Sequence, residues 1–302
     1  MPDLRAMAVP GAGNPRPALG EQDGRPGPAS AGEAEFRRFC ELLDRLSGIS
    51  LGENKRYLVD SRLGTLIAEL GLNGLGDLVT RLEADLSGRL RRRVVDAMTT
   101  NETQWFRDVH PFTALAERVL PELAGRGIGP LRMWSAGCSS GQEPYSIAMV
   151  VEEQRFLRPG SLTRAVEVVA TDISPSVLAA ARAGMYDDLA VSRGLSEDRR
   201  RRFFQRAVEG WQLRDEVRRS VQFREMSLLD SFAPLGRFDV VFCRNVLIYF
   251  SRTRKQDILT RMAATLSPGG FLLLGSSESL SVLGERFEMV RHGGAVLYRL
   301  RA

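Results

Sequence analysis

A chain of 302 residues with 43% hydrophobic and 26% charged side chains has the composition of a globular protein, with room for one large or two smaller domains. No run approaches the about 18 apolar residues of a membrane span, and three widely spaced cysteines (Cys40, Cys138, Cys243) argue against a disulfide framework and for a reducing cytoplasm. The formal charge of +5 is carried almost wholly by arginine, with Lys55 and Lys255 the only lysines, and no aromatic residues interleave with the basic ones as a base-stacking surface requires, so no nucleic-acid partner is expected.

Residues 1–32 are rich in Pro and Gly and poor in large apolar residues, and they lack the apolar core and cleavage pattern of a secretory signal. A disordered tail is expected there. From 33 to 98 the apolar residues fall at helical spacing. Phe36, Phe39, Cys40, Leu43 and Leu46 make one stripe; Val59, Leu63, Leu66, Ile67 and Leu70 a second; Leu75, Leu78, Val79, Leu82 and Leu86 a third. A fourth helix is expected through GRLRRRVVDAM, which completes a small all-α domain. Lys55, Arg56 and Arg62 lie near one another on the second helix, as a solvated face or as a docking surface for an acidic partner. His110 and His292 have no companions at ligand spacing, so no zinc site is expected.

After residue 98 strands and helices alternate. LRMWSAG reads as a strand and EPYSIAMVVEEQ as a helix, with Pro144 suited to its first turn because proline lacks the N–H that goes unpaired there. VEVVATD, FDVVFCRN and GGFLLLGSS read as further strands, and RTRKQDILTRMAATL as a helix. This alternation predicts an α/β fold with a mostly parallel, doubly wound sheet covered on both faces. Strands around Phe287 and through AVLYRL come without an intervening helix and predict an antiparallel C-terminal hairpin. Residues 185–226 break the pattern and read as an insertion carrying a small β-subdomain. The expected division is therefore a tail to 32, a helical domain over 33–98 and an α/β domain over 99–302.

Ligands of such sheets sit beyond the carboxyl ends of the strands, where strand order reverses. Gly137 to Gly141, Asp172, Ser227 to Asp230 and Arg244-Asn245 all fall there. The GCSSG turn departs from the dinucleotide fingerprint, having three residues between its glycines and no third glycine. The acidic Glu143 and Asp172 disfavour a phosphate and favour a ligand with a positive centre and hydroxyls, such as S-adenosylmethionine. A tight turn with a helix-capping acid gives the same local pattern. In TTNETQWFRD, residues 99–108, Arg107 offers a fork for a carboxylate, with Asn101 and Thr103 as neutral polar neighbours. In FCRNVLIYF, residues 242–250, a polar pair and Tyr249 interrupt an apolar run, either at a ligand edge or on an amphipathic helix.

These motifs, with WSAGCSSGQEPYSIAM, ATDIS and GGFLLLGSSES in the same order, resemble the chemotaxis-receptor glutamate methyltransferases of the CheR type over roughly residues 33–300. The resemblance implies a class I methyltransferase sheet and a protein-glutamate O-methyltransferase that uses S-adenosyl-L-methionine and yields S-adenosyl-L-homocysteine. Its cofactor contacts map onto Asn101, Thr103, Arg107, Glu143, Asp172, Ser227, Leu228, Arg244 and Asn245. Members commonly carry Asn where this chain has Ser227. Arg107 and Tyr249 are expected beside the reacting centre. The implied partner is the cytoplasmic helical signalling domain of methyl-accepting chemotaxis receptors, acted on by a cytoplasmic monomer without membrane insertion. Two other readings stand beside this one: a sensor that binds S-adenosylmethionine without turnover, and a dinucleotide-dependent oxidoreductase. Some members tether to a receptor's C-terminal pentapeptide through a Gly-x-Gly loop in the β-subdomain. Here that stretch has only Gly210, which predicts recognition without the pentapeptide, with Lys55, Arg56 and Arg62 facing the acidic substrate helix.

Overall fold

A computed structural model describes residues 31–127, 129–280 and 284–301. The expected tail lies outside the described residues as far as residue 30, and the first helix begins at Ala31. Helices α1 (Ala31–Ser47), α2 (Arg56–Glu69), α3 (Leu75–Glu83) and α4 (Arg89–Met98) form the N-terminal bundle. Phe39, Leu43, Val59, Leu63, Leu78, Leu82 and Val94 close its separate core. Leu86, expected on the third stripe, is fully exposed because α3 ends at Glu83. The chain turns there on Asp85, whose carboxylate accepts from Ser87, Gly88, Leu90 and Arg91. The Ser87 hydroxyl first, and then these backbone N–H groups, pull that carboxyl down to about 2.

Helices α5 (His110–Ala114) and α6 (Leu120–Ala124) are joined through a π-helical turn, Leu115–Val119. Strand β1 (Leu131–Ala136) then leads to α7 (Gln142–Leu157), β2 (Val166–Asp172) and α8 (Pro175–Ala183). A small antiparallel sheet follows, built from β3 (Met185–Tyr186), β4 (Phe204–Ala207) and β5 (Gly210–Leu213) in the order β3-β5-β4. Helices α9 (Asp188–Ser192), α10 (Glu197–Phe203) and α11 (Asp215–Arg218) surround it. The chain returns to the large sheet with β6 (Val221–Glu225), β7 (Phe238–Cys243), α12 (Arg252–Thr265), β8 (Leu266–Leu274), β9 (Phe287–His292) and β10 (Ala295–Leu300).

The large sheet runs β6-β2-β1-β7-β8-β10-β9, parallel as far as β8 and antiparallel over the last hairpin. Its two faces follow the period of two along each strand. Met133, Val168, Val240 and Phe242 pack with Tyr145, Ile147 and Met149 of α7, whereas Trp134, Val169, Val241 and Cys243 pack with Ile258, Leu259 and Met262 of α12. The segment expected to be an insertion through residue 226 includes β6, which is the edge strand of the large sheet. The small sheet ends at Leu213. The chain winds outward from β1 through β2 to β6 and then crosses back to β7, so the reversal falls between β1 and β7.

Candidate active site

The turn after β1 is shaped by three left-handed residues, Gly137 (φ +74°), Ser139 (φ +49°) and Gly141 (φ +94°). A Cβ at Gly137 would lie 2.9 Å from Cγ2 of Val246, and one at Gly141 3.0 Å from Cβ of Ala181. Glycine is thus required by the protein's own packing at both positions, and Gly141 does not reach the cavity above the turn. Asp172, at the end of β2, welds the two turns together. One carboxylate oxygen accepts from the Ser139 N–H at 2.8 Å and the other from the Ser174 N–H at 3.0 Å. Burial pushes its carboxyl above the usual range, an effect that these backbone donors oppose.

The segment Phe106–Val109 is bent by positive φ at Phe106, Asp108 and Val109. Arg244 anchors that bend. Its guanidinium, 1% exposed, donates to the Arg107 carbonyl at 2.9 Å, to Asp108 Oδ2 at 2.6 Å and to Glu143 Oε2 at 3.2 Å. Glu143 also accepts from the Ser135 hydroxyl at 2.8 Å, and burial raises its carboxyl despite Arg244. Arg244 and Glu143, both expected to contact cofactor, pair with each other and with the segment that presents Arg107, and Arg244 Nε is buried without a partner. The Ser139 hydroxyl donates to the Asn101 carbonyl, tying the same motif to the β1 turn.

Asn245, after β7, adopts a left-handed conformation (φ +57°), and its Oδ1 is buried without a hydrogen-bond partner. Glu278, the acid of GGFLLLGSSES that was not named as a site residue, holds this segment in place. It accepts from the N–H groups of Gly275 (2.8 Å), Asn245 (2.9 Å) and Ile248 (3.3 Å). Tyr249 stands on a single 3-10 turn, Leu247–Tyr249, rather than on an α-helix. Ser227 accepts from the Leu229 N–H through its hydroxyl, so its turn is made without the asparagine common in the family, and Leu228 is buried beside it.

Asn101, Thr103, Arg107, Glu143, Asp172, Ser227, Leu228, Arg244, Asn245 and Tyr249 all line one cavity. The helical bundle supplies walls that the sequence reading did not anticipate, among them Ile49, Leu51 and Met98. The Ser50 N–H donates to the Tyr249 carbonyl, and Asp44 of α1 pairs bidentately with Arg254 of α12, which seats the bundle over the sheet. Lys55 and Arg62 line this cavity as well. Arg62 donates to the carbonyls of Met98 and Thr99 and to Thr100, bracing the end of α4, and its charge meets no carboxylate among the described residues. Cys138 and Cys243 lie buried nearby, and burial raises both thiols well above their ordinary value.

The lining fits S-adenosylmethionine. The buried Asn245 Oδ1 needs a donor, Asp172 retains lone pairs for hydroxyls, and Arg107 offers a partner for a carboxylate. A sheet of this order, with such a cavity beyond its carboxyl ends, defines a class I methyltransferase. Residues 34–99 match the all-alpha domain of CheR methyltransferase and residues 101–295 its SAM-binding domain, and the chain belongs to the CheR methyltransferase family. It is 51% identical over 274 residues to chemotaxis protein methyltransferase 1 of Pseudomonas aeruginosa, covering 90% of this chain and 100% of that one. It is 51% identical over 270 residues to chemotaxis protein methyltransferase 1 of Vibrio cholerae (89% and 98% covered) and 38% identical over 262 residues to chemotaxis protein methyltransferase of Salmonella typhimurium (85% and 88%). The cofactor is accordingly S-adenosylmethionine, as the resemblance implied. No described helix is long and apolar enough to cross a membrane.

Proposed function

We propose that this methyltransferase esterifies glutamate side chains on the cytoplasmic helical signalling domain of chemotaxis receptors, acting as a cytoplasmic monomer whose helical domain ends near residue 98. The supporting observation is that Arg107 and Tyr249, from segments far apart in the chain, line one cavity with Asp172. Bound there, S-adenosylmethionine would supply a methyl group from its sulfonium centre to a carboxylate oxygen, with S-adenosylhomocysteine as the leaving group.

Asp172 holds the ribose hydroxyls, and Asn245 Oδ1 takes a donor from the cofactor. Arg107 pairs with the methionine carboxylate and draws in the anionic acceptor. Tyr249 orients an acceptor oxygen through its hydroxyl. An ordinary glutamate ionises near pH 4.3, so at neutral pH the nucleophile needs no base. The protein contributes alignment and exclusion of water, which together lower such barriers by roughly 7 to 11 kcal/mol. The names of the relatives, chemotaxis protein methyltransferases, support a chemotaxis protein as substrate. The test is incubation with methyl-labelled cofactor and a receptor signalling fragment. Label should pass to the fragment. Tight cofactor binding with no transfer to any receptor would instead identify a sensor.

A further inference from the structure

The 3-10 turn Leu247–Tyr249 is a partition. Tyr249 faces the cofactor cavity, while Leu247 and Ile248 line a separate pocket on the other side, together with Arg252, Lys255, Ser277 and Ser279. The cations of this second pocket differ from others on the same helix. Arg254 pairs with Asp44 and Arg261 with Asp257, whereas Arg252 and Lys255 make no ion pair among the described residues. The pocket's own acid, Glu278, has both carboxylate oxygens engaged by backbone N–H groups and pairs with neither cation. Ile248 stands 47% exposed beside these groups, an apolar surface next to a cationic one. The chain's only two lysines divide between the compartments, Lys55 in the first and Lys255 in the second.

A protein that presents one carboxylate at Tyr249 must carry its neighbouring residues across this partition. We propose that the pocket of Arg252 and Lys255 is a second carboxylate subsite, which takes another acidic side chain of the same substrate while Ile248 meets its apolar face. This rests on the glutamate reading above and deepens it. The subsite selects acceptors by a nearby acid, so it acts on substrate affinity and not on the cofactor.

The experiment uses the full chain, labelled cofactor and a receptor signalling fragment. R252A/K255A should raise KM for the fragment by about fivefold, the scale of two exposed ion pairs. R252E/K255E should raise it further, because like charges then face each other. R252K/K255R should restore the wild-type KM, and the cofactor dissociation constant should stay within about twofold in every variant, which shows that the first cavity is intact. Acetylation of Lys255 should be slowed by the fragment and not by cofactor alone. A wild-type KM in the folded R252A/K255A variant overturns the subsite. Failure of the wild-type enzyme to methylate any carboxylate overturns the glutamate reading, and that result is read before any variant is compared.

Discussion

Asp172 holds two backbone N–H groups while 8% exposed, so its charge both builds the turn and resists burial. Asp172→Ala removes charged hydrogen bonds worth about 1.5–3 kcal/mol, and calorimetry should show cofactor binding at least about tenfold weaker. Unchanged affinity in a folded variant would remove Asp172 from the site. The direction of its pKa shift gives a second expectation. A carboxyl raised by folding contributes stability that is complete below its unfolded value, about 3.9, and lost as pH rises through the folded value. Cofactor affinity follows the ionised form and runs the other way. Relative to Asp172→Asn, the wild-type apo protein should lose thermal stability, and gain cofactor affinity, as pH rises from about 4 through the raised value. Parallel pH profiles for the two proteins would contradict this. Tyr249 has a different signature. Tyr249→Phe should lower kcat while leaving cofactor affinity nearly intact, because only the acceptor loses a partner. A parallel fall in both would make Tyr249 a cofactor contact.

Among the elements, those with local grammar were legible in the sequence. The turn after β1, the helix opened by Pro144 and the acid at the end of β2 each follow from residues within a few positions of one another. Strand β6 was not legible, because at the sheet edge Val221 and Phe223 face inward while Gln222 and Arg224 stay polar, and so brief an alternation resembles the preceding insertion. The bundle's contribution to the cavity was equally hidden. Nothing local in Ile49 or Leu51 announces a ligand, since their role depends on Arg254 reaching Asp44. The small sheet carries a prediction of its own. Gly210, the lone glycine where tethering members have a Gly-x-Gly loop, opens β5 at φ +135°, and a Cβ there would lie 2.4 Å from the Tyr186 carbonyl oxygen. The packing of the subdomain's own strands accounts for this glycine. Removing the terminal pentapeptide from a receptor should therefore leave its methylation rate unchanged. Micromolar binding of that peptide, or a large loss of rate on its removal, would contradict the expectation.

At the scale of the molecule, the helical bundle and the sheet enclose a chamber that neither makes alone. The bundle contributes apolar walls and Lys55, and the sheet contributes the charged residues at its strand ends. The charges most deeply placed, Arg244 and Glu143, pair with each other and with the bent segment, while Arg107, Asp172, Asn245 and Tyr249 line the same cavity. Asp172, Asn245 and Tyr249 were legible because they interrupt or end apolar strand patterns, and Arg107 because it closes a polar motif between the helical domain and the sheet. Sequence reasoning did not separate those that hold the site from those that face it, a distinction that depends on side-chain partners distant in the chain. The central claim is that the methyl group ends on a carboxylate oxygen. The most direct test is to methylate a receptor signalling fragment with methyl-labelled cofactor and then treat the isolated fragment with alkali. An ester hydrolyses and releases the label as volatile methanol, which is the predicted result. Label that stays on the protein through alkali, as an N-methyl amine does, would contradict the account.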